Sequence, residues 1–97
     1  MRLSVIIPAY NEENRLPKTL RAVDEYLRRQ SYEYEILVVN AGSTDRTKEM
    51  VQDAMLQVRS LNIMDVENRG KGYAVKQGIL HAKGEYRVFM DADNATS

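Results

Sequence analysis

Leu3-Ser4-Val5-Ile6-Ile7-Pro8-Ala9-Tyr10-Asn11-Glu12 decides how the rest of the chain is read. Its first half is apolar and largely β-branched and stops at Pro8, the pattern of a buried strand. A polar cluster follows at once, and then Leu16, Leu20, Val23 and Leu27 recur at helical spacing, with Pro17 near the start, where proline is tolerated. The same strand-then-helix unit repeats downstream. Glu35-Ile36-Leu37-Val38-Val39 reads as a second buried strand broken by Gly42 and Ser43. Ser43 is expected to cap a helix from about Thr44 to Gln57, with Asp45 in its first turn and Val51, Ala54, Met55 and Val58 on its apolar face. Leu61 to Val66 alternates as an edge strand would. Gly70 and Gly72 open a third helix whose core face is Ala74, Val75, Gly78, Ile79 and Ala82, and Gly84 is expected to end it as a C-cap. Tyr86 to Met90 reads as the fourth strand.

Strands alternating with helices in the order β-α-β-α-β-α-β predict an α/β, Rossmann-like fold in three layers around a parallel sheet with right-handed crossovers. The first, second and fourth strands are near-continuously apolar, which suits central or doubly covered positions. In such sheets ligands bind beyond the carboxyl ends of the strands. Those ends carry Ala9-Tyr10-Asn11-Glu12, Asn40-Ala41-Gly42-Ser43, Glu67-Asn68-Arg69-Gly70 and Asp91-Ala92-Asp93, so all four polar clusters are expected on one rim.

Size and composition bound the answer. With 97 residues the chain is one domain, 1–97, with a modest core. Lys+Arg and Asp+Glu are both 14, so no bulk charge draws it to nucleic acid or to an anionic membrane. Cysteine is absent, which excludes disulfides and thiolate metal sites and fits a cytoplasmic location. No apolar run approaches the ~18 residues of a membrane span. Leu3 to Ala9 is too short for a secretory signal, so the fold is expected to use the N-terminus as it stands.

Each cluster has a chemical and a bland reading. Asp91 and Asp93 are two carboxylates two residues apart after a strand, able to turn toward one hard cation shared with a diphosphate; read blandly, they are a solvated turn. Tyr10 can stack on a base, and Asn11 and Glu12 can bond a base edge or ribose hydroxyls, or the loop merely caps the first helix. Arg69, Gly70 and Lys71 combine positive charge with a helix start that can hold phosphate, or the glycines only serve the turn. The spacing fits neither a P-loop nor GxGxxG. His81 reads as a surface residue at a helix end, and Tyr32 and Tyr34 as packing residues.

In order and rough spacing, four segments resemble family 2 glycosyltransferases, those of the lipid-linked branch that use dolichyl phosphate above all: Ser4 to Glu13, Gly42-Ser43-Thr44-Asp45-Arg46-Thr47, Asn68-Arg69-Gly70-Lys71-Gly72 and Phe89-Met90-Asp91-Ala92-Asp93. The resemblance spans essentially the whole chain. It implies the N-terminal, nucleotide-sugar-binding half of a GT-A fold with sheet order 3-2-1-4. It implies that Pro8, Tyr10, Asn11 and Glu12 border the nucleotide, that Asp91 and Asp93 serve ribose, diphosphate and metal, and that Mg²⁺ or Mn²⁺ and a UDP- or GDP-sugar donor are used. For the full enzyme it implies a polyprenyl phosphate acceptor at the cytosolic face of a membrane.

Two departures bear on activity. The family usually has two acidic residues where this chain has Asn40 and Ala41. Asn40 can still hydrogen-bond, but losing a charge-assisted bond weakens binding by roughly 1.5–3 kcal/mol, about ten- to a hundred-fold. No residue can be assigned as the general base, so the chain by itself is expected to be incomplete for transfer. A non-catalytic, self-associating half-domain is the rival reading, because strand 4 would be an exposed apolar edge and invite a homo-oligomer. A nucleotidyltransferase or other nucleotide-binding α/β domain is a third, weaker rival, because the loop after the first strand has no glycine.

Overall fold

The computed structural model describes residues 1–93. Among them, β1 (Leu3–Ala9), α1 (Leu16–Arg28), β2 (Tyr34–Ala41), α2 (Thr47–Met55), β3 (Leu61–Val66), α3 (Lys71–His81) and β4 (Tyr86–Phe89) alternate as the hydrophobic periodicity predicts. The sheet is parallel throughout with the order β3-β2-β1-β4. Alternate residues of the strands feed two apolar clusters. Val5, Ile7 and Ala9 of β1 and Ile36 and Val38 of β2 pack with Leu16, Leu20 and Leu27 of α1 and Val51 of α2. Ile6, Leu37, Val39 and Ala41 face Ala74 and Ala82 on the side of α3. This is a three-layer α/β sandwich, the expected fold class.

β1 runs through Pro8 to Ala9 rather than stopping at the proline. The backbone of Ile6 faces β4, since Met90 donates to the Ile6 carbonyl, and Pro8, two residues on, faces the same way. The β1–β4 pairing has ended by then, at Ile6 and Phe89, so the missing N–H of Pro8 removes no ladder bond.

Three helix-end expectations are corrected. α2 begins at Thr47, not near Thr44, and Ser43 does not cap it; instead Asp45 Oδ1 accepts the Thr47 N–H at 2.9 Å. α3 ends at Ala82, whose extended backbone stops the helix, so Gly84 is not its C-cap. Gly84 is needed for close approach. A Cβ there would lie 2.6 Å from the Ser4 nitrogen and 2.7 Å from Ser4 Oγ. Its N–H donates to Ser4 Oγ at 2.8 Å, and that hydroxyl donates to buried Glu35 at 2.6 Å.

Ile79, expected on the core face of α3, is exposed. The helix packs by its Ala74-Gly78-Ala82 stripe, and the Gly78 backbone comes so near the sheet that a Cβ would meet Ile6 Cγ2 at 2.5 Å. That stripe turns Ile79 and Leu80 away from the sheet. The apolar run of β4 does not mark double burial either: Tyr86, Val88 and Phe89 are 58%, 49% and 53% exposed at the sheet edge.

Candidate functional site

The carboxyl ends of β1 and β4 and the N-terminal end of α3 enclose an open cleft of about 340 Å³. Pro8, Tyr10, Glu12, Gly70, Lys71, Asp91 and Asp93 line it together, as the one-rim argument requires. Asn11, Asn40 and Arg69 are not among its lining residues, although each was a candidate. Arg15 and Asn68 line it and were not candidates. Arg15 is the N-cap residue of α1, where a cation opposes the helix dipole, a placement that no local feature of the sequence marks.

The Asp91-Ala92-Asp93 turn is anchored by its middle residue. Ala92 is buried against the core, and its carbonyl accepts the hydroxyl of fully buried Thr19 in α1. The flanking carboxylates, about half exposed, are left to the cleft. Lys71 Nζ pairs with Asp91. Arg15 bridges two acids, with Nη2 2.5 Å from Glu12 Oε1 and Nη1 3.4 Å from Asp93 Oδ2. The Glu12 oxygen is buried against the Arg15 guanidinium as an ion pair.

Asn11 fastens two loops together. It takes φ = 52°, the left-handed conformation that asparagine tolerates better than most residues. Its Oδ1 accepts the N–H groups of Thr44 (2.8 Å) and Asp45 (3.2 Å), and its own N–H donates to Ser43 Oγ (3.0 Å). Next along, the Glu12 N–H donates to Thr47 Oγ1 (2.8 Å) and the Glu13 N–H to Asp45 Oδ2 (3.3 Å). Desolvation pushes the Asp45 carboxyl up. Hydrogen bonds from the Thr47 hydroxyl and from backbone N–H groups, those of Thr47 and Glu13 first, outweigh it and hold the group below the usual range. Tyr10 and Glu12 flank Asn11 in this latch.

Asn40 is buried and donates to Asp65 at 2.9 Å, while its Oδ1 accepts the Ser43 N–H at 3.4 Å. A hydrogen bond from Lys48 at 2.6 Å, then the one from Asn40, lowers the Asp65 carboxyl below its usual range. Ala41 alone of the Asn40–Ser43 cluster reaches the cleft. Arg69 pairs with Glu67 at 3.5 Å and lies 5.2 Å over the Tyr73 ring. His81 is exposed at the end of α3, its ring against the Gln77 carbonyl.

A divalent cation fits this donor set. Asp91 and Asp93 offer hard carboxylate oxygens at an open cleft, suited to Mg²⁺ or Mn²⁺ that fills its shell with water and phosphate oxygens. Among the described residues no group of three or more His, Cys, Asp or Glu side chains is arranged to hold a metal ion.

The sequence profile of the family described as Glycosyl transferase family 2 matches residues 4–97. The dolichyl-phosphate beta-glucosyltransferase of Dictyostelium discoideum is 43% identical over 102 residues, covering 97% of this chain and 31% of that protein. The Saccharomyces cerevisiae enzyme of the same name is 40% identical over 101 residues, covering 97% and 30%. The chain thus spans about a third of the length of these relatives. Among solved structures, the mannosyltransferase PcManGT from Pyrobaculum calidifontis, in complex with GDP-Man and Mn²⁺, superposes with a TM-score of 0.83 at 34% identity, over 95% of this chain and 27% of that one. S. aureus TarS in complex with UDP superposes with a TM-score of 0.72 at 28% identity, over 96% and 28%.

Proposed function

The chain belongs to glycosyl transferase family 2, and on that premise we propose that its cleft is the donor half of a metal-dependent glycosyl transfer site. The observation that carries this reading is the convergence of Tyr10, Glu12, Gly70, Lys71, Asp91 and Asp93 around one cleft. The donor is a UDP- or GDP-sugar, in line with the nucleotides bound by the similar structures. Tyr10, 48% exposed, offers a ring face for the base, and Pro8 the wall beneath it. Glu12, at the cleft lining, offers its carboxylate to a ribose hydroxyl. Gly70, whose φ of 93° turns the chain into α3, opens the positive end of that helix to phosphate, and Lys71 adds its charge. Asp91 and Asp93 hold Mg²⁺ or Mn²⁺, which when bound neutralises charge on the departing nucleoside diphosphate. Asn11 and Asn40, outside the cleft lining, tie neighbouring loops through Thr44, Asp45, Ser43 and Asp65, and Arg69, set against Glu67 and Tyr73, is left out of the site. The acceptor is a polyprenyl phosphate, following the dolichyl-phosphate relatives. A whole enzyme of this kind works at the cytosolic face of a membrane. Within the chain, no helix among the described residues is long and apolar enough to cross one. The family match over residues 4–97, about a third of the relatives' length, supports reading these residues as the donor side of the site.

Calorimetric titration with UDP, UDP-glucose and GDP-mannose tests this, first with Mn²⁺ and then with EDTA. Binding should require metal and fall at least tenfold in Asp91→Asn, since hydrogen bonds and charge contacts to such groups contribute about 1.5–3 kcal/mol. A well-folded chain that binds none of the three would sink the donor-site reading.

One observation favours a second reading, that of a self-associating module. Val88 at the exposed edge strand adjoins an apolar groove of about 360 Å³ lined by Val23, Tyr26, Leu27, Tyr32 and Met90. Sedimentation should then give a homodimer or larger species; a sharply folded monomer counts against it.

A further inference from the structure

The acidic residues of the cleft are already matched with cations from the protein itself. Glu12, Asp91 and Asp93 face Arg15 and Lys71 across the same space. Three carboxylates against two cations leave these groups one negative charge in excess. Both cations stand where their helices disfavour them. Arg15 is the N-cap residue of α1 and Lys71 the first residue of α3, each at the positive end of a helix dipole. Neither helix has a side-chain cap or an acidic residue in its first turn to offset this. Lys71 is held by Asp91, and Arg15 by Glu12 at 2.5 Å and by Asp93 at 3.4 Å.

We propose that Arg15 and Lys71 are exchangeable counter-cations: a divalent ion displaces them from Asp93 and Asp91, and the freed guanidinium and ammonium then bind the diphosphate of the donor. The inference rests on the donor-site reading and adds to it the order and coupling of binding. Before exchange the cleft carries excess negative charge and repels a diphosphate. A divalent ion on Asp91 and Asp93 turns that excess of one negative charge into one positive, with Lys71 unpaired and Arg15 held by Glu12 alone, beside two helix N-termini. A diphosphate relieves both the charge and the dipole conflict. The two ligands therefore reinforce each other, and by linkage each tightens the other by the same factor. Arg15, through its ion pair with Glu12, also reports the exchange to the residue placed against the ribose.

The exchange makes a prediction of opposite signs. In Lys71→Met and Arg15→Met, the affinity for Mn²⁺ alone should rise about two- to fivefold, the effect of removing a competing, partly exposed ion pair. The affinity for UDP at saturating Mn²⁺ should fall about tenfold. Arg69→Met is the control, because Arg69 pairs with Glu67 and not with the acidic turn; its affinity for Mn²⁺ should be unchanged. Mn²⁺ binding is read by the loss of the free-ion paramagnetic resonance signal, UDP binding by calorimetry, and folding by thermal melts of each variant. If the wild type binds Mn²⁺ and UDP but Lys71→Met and Arg15→Met leave Mn²⁺ affinity unchanged or lower, the exchange is wrong while the donor site stands. Equal tightening in Arg69→Met reduces the effect to general field and also overturns it. If the folded wild type binds neither ligand, the donor-site reading fails and the exchange fails with it.

Discussion

Asn11 shows how far a residue's chemistry can be named from sequence while its partner cannot. An Asn after an apolar strand offers a donor and an acceptor to whatever is near, and only the fold brings Thr44 and Asp45 to its Oδ1. Two substitutions separate the contributions of side chain and backbone. Asn11→Gly keeps the left-handed conformation and loses the acceptor, which is solvent-exposed, so the cost is about 1 kcal/mol. Asn11→Ala loses the acceptor and adds about 1–2 kcal/mol of steric strain at φ = 52°. Urea denaturation should rank stability as wild type above Gly above Ala. The Thr44 and Asp45 amides should exchange hydrogen faster in both. Equal stability of the two variants would deny the strain, and unchanged exchange at those amides would deny the latch. Arg15 was missed for a related reason: as a letter it is an ordinary surface arginine, and its place on a helix N-terminus beside Glu12 and Asp93 needs the helix boundary and a contact across most of the chain.

At the scale of elements, the alternation of periods was legible because each strand is a short apolar run and each helix a sparse one. The β3-β2-β1-β4 order and the rim of polar loops follow from that alternation once crossovers are right-handed and the family's strand order is assumed. Helix ends were not legible, because several residue types can satisfy a free N–H and only the loop path selects among them. Ser43 was nominated for α2, yet its hydroxyl accepts the Asn11 N–H while Asp45 takes the N–H of Thr47. Gly84 reads as a helix stop in any local view, whereas its need comes from Ser4, 80 residues away. The core face of α3 failed similarly, since close approach at Gly78 rotates the helix so that Ile79 and Leu80 meet solvent. That exposure, with Tyr86, Val88 and Phe89 along β4, sets the prediction for the edge. If it mediates self-association, Val88→Lys should shift the sedimenting species to monomer, because a charge on an edge strand blocks strand pairing. The thermal melt should change little, since Val88 is 49% exposed. An oligomer that survives Val88→Lys must use another surface.

For the molecule as a whole, zero formal net charge removes any large self-repulsion near neutral pH, so the pH dependence of stability is set by individual groups. Asp45 and Asp65 both have carboxyls lowered from 3.8, the first by hydrogen bonds from Thr47 and Glu13 that outweigh desolvation, the second by Lys48 and Asn40. A lowered folded pKa means that the unfolded chain takes up the proton first. Each group therefore contributes stability that is fully present above 3.8 and is lost as pH falls through the folded value. Tyr34 is shifted the other way. Burial, then a hydrogen bond to Asp24 at 3.0 Å, raises its phenol above 10.0. Its contribution is present below 10.0 and is lost as pH rises through the folded value. Stability from urea denaturation should therefore form a plateau through the neutral range, with an acid limb below about pH 4 and an alkaline limb above about pH 10. The limbs can be assigned separately. Asp65→Asn should lower the plateau slightly, since the Lys48 pair is half exposed, and make the acid limb shallower. Tyr34→Phe should flatten the alkaline limb and leave the acid limb alone. An acid limb of unchanged slope in Asp65→Asn would mean that the carboxylate at the end of β3 is not linked to folding. The Lys48–Asp65–Asn40 chain would then be surface decoration rather than a tie between β2, β3 and α2.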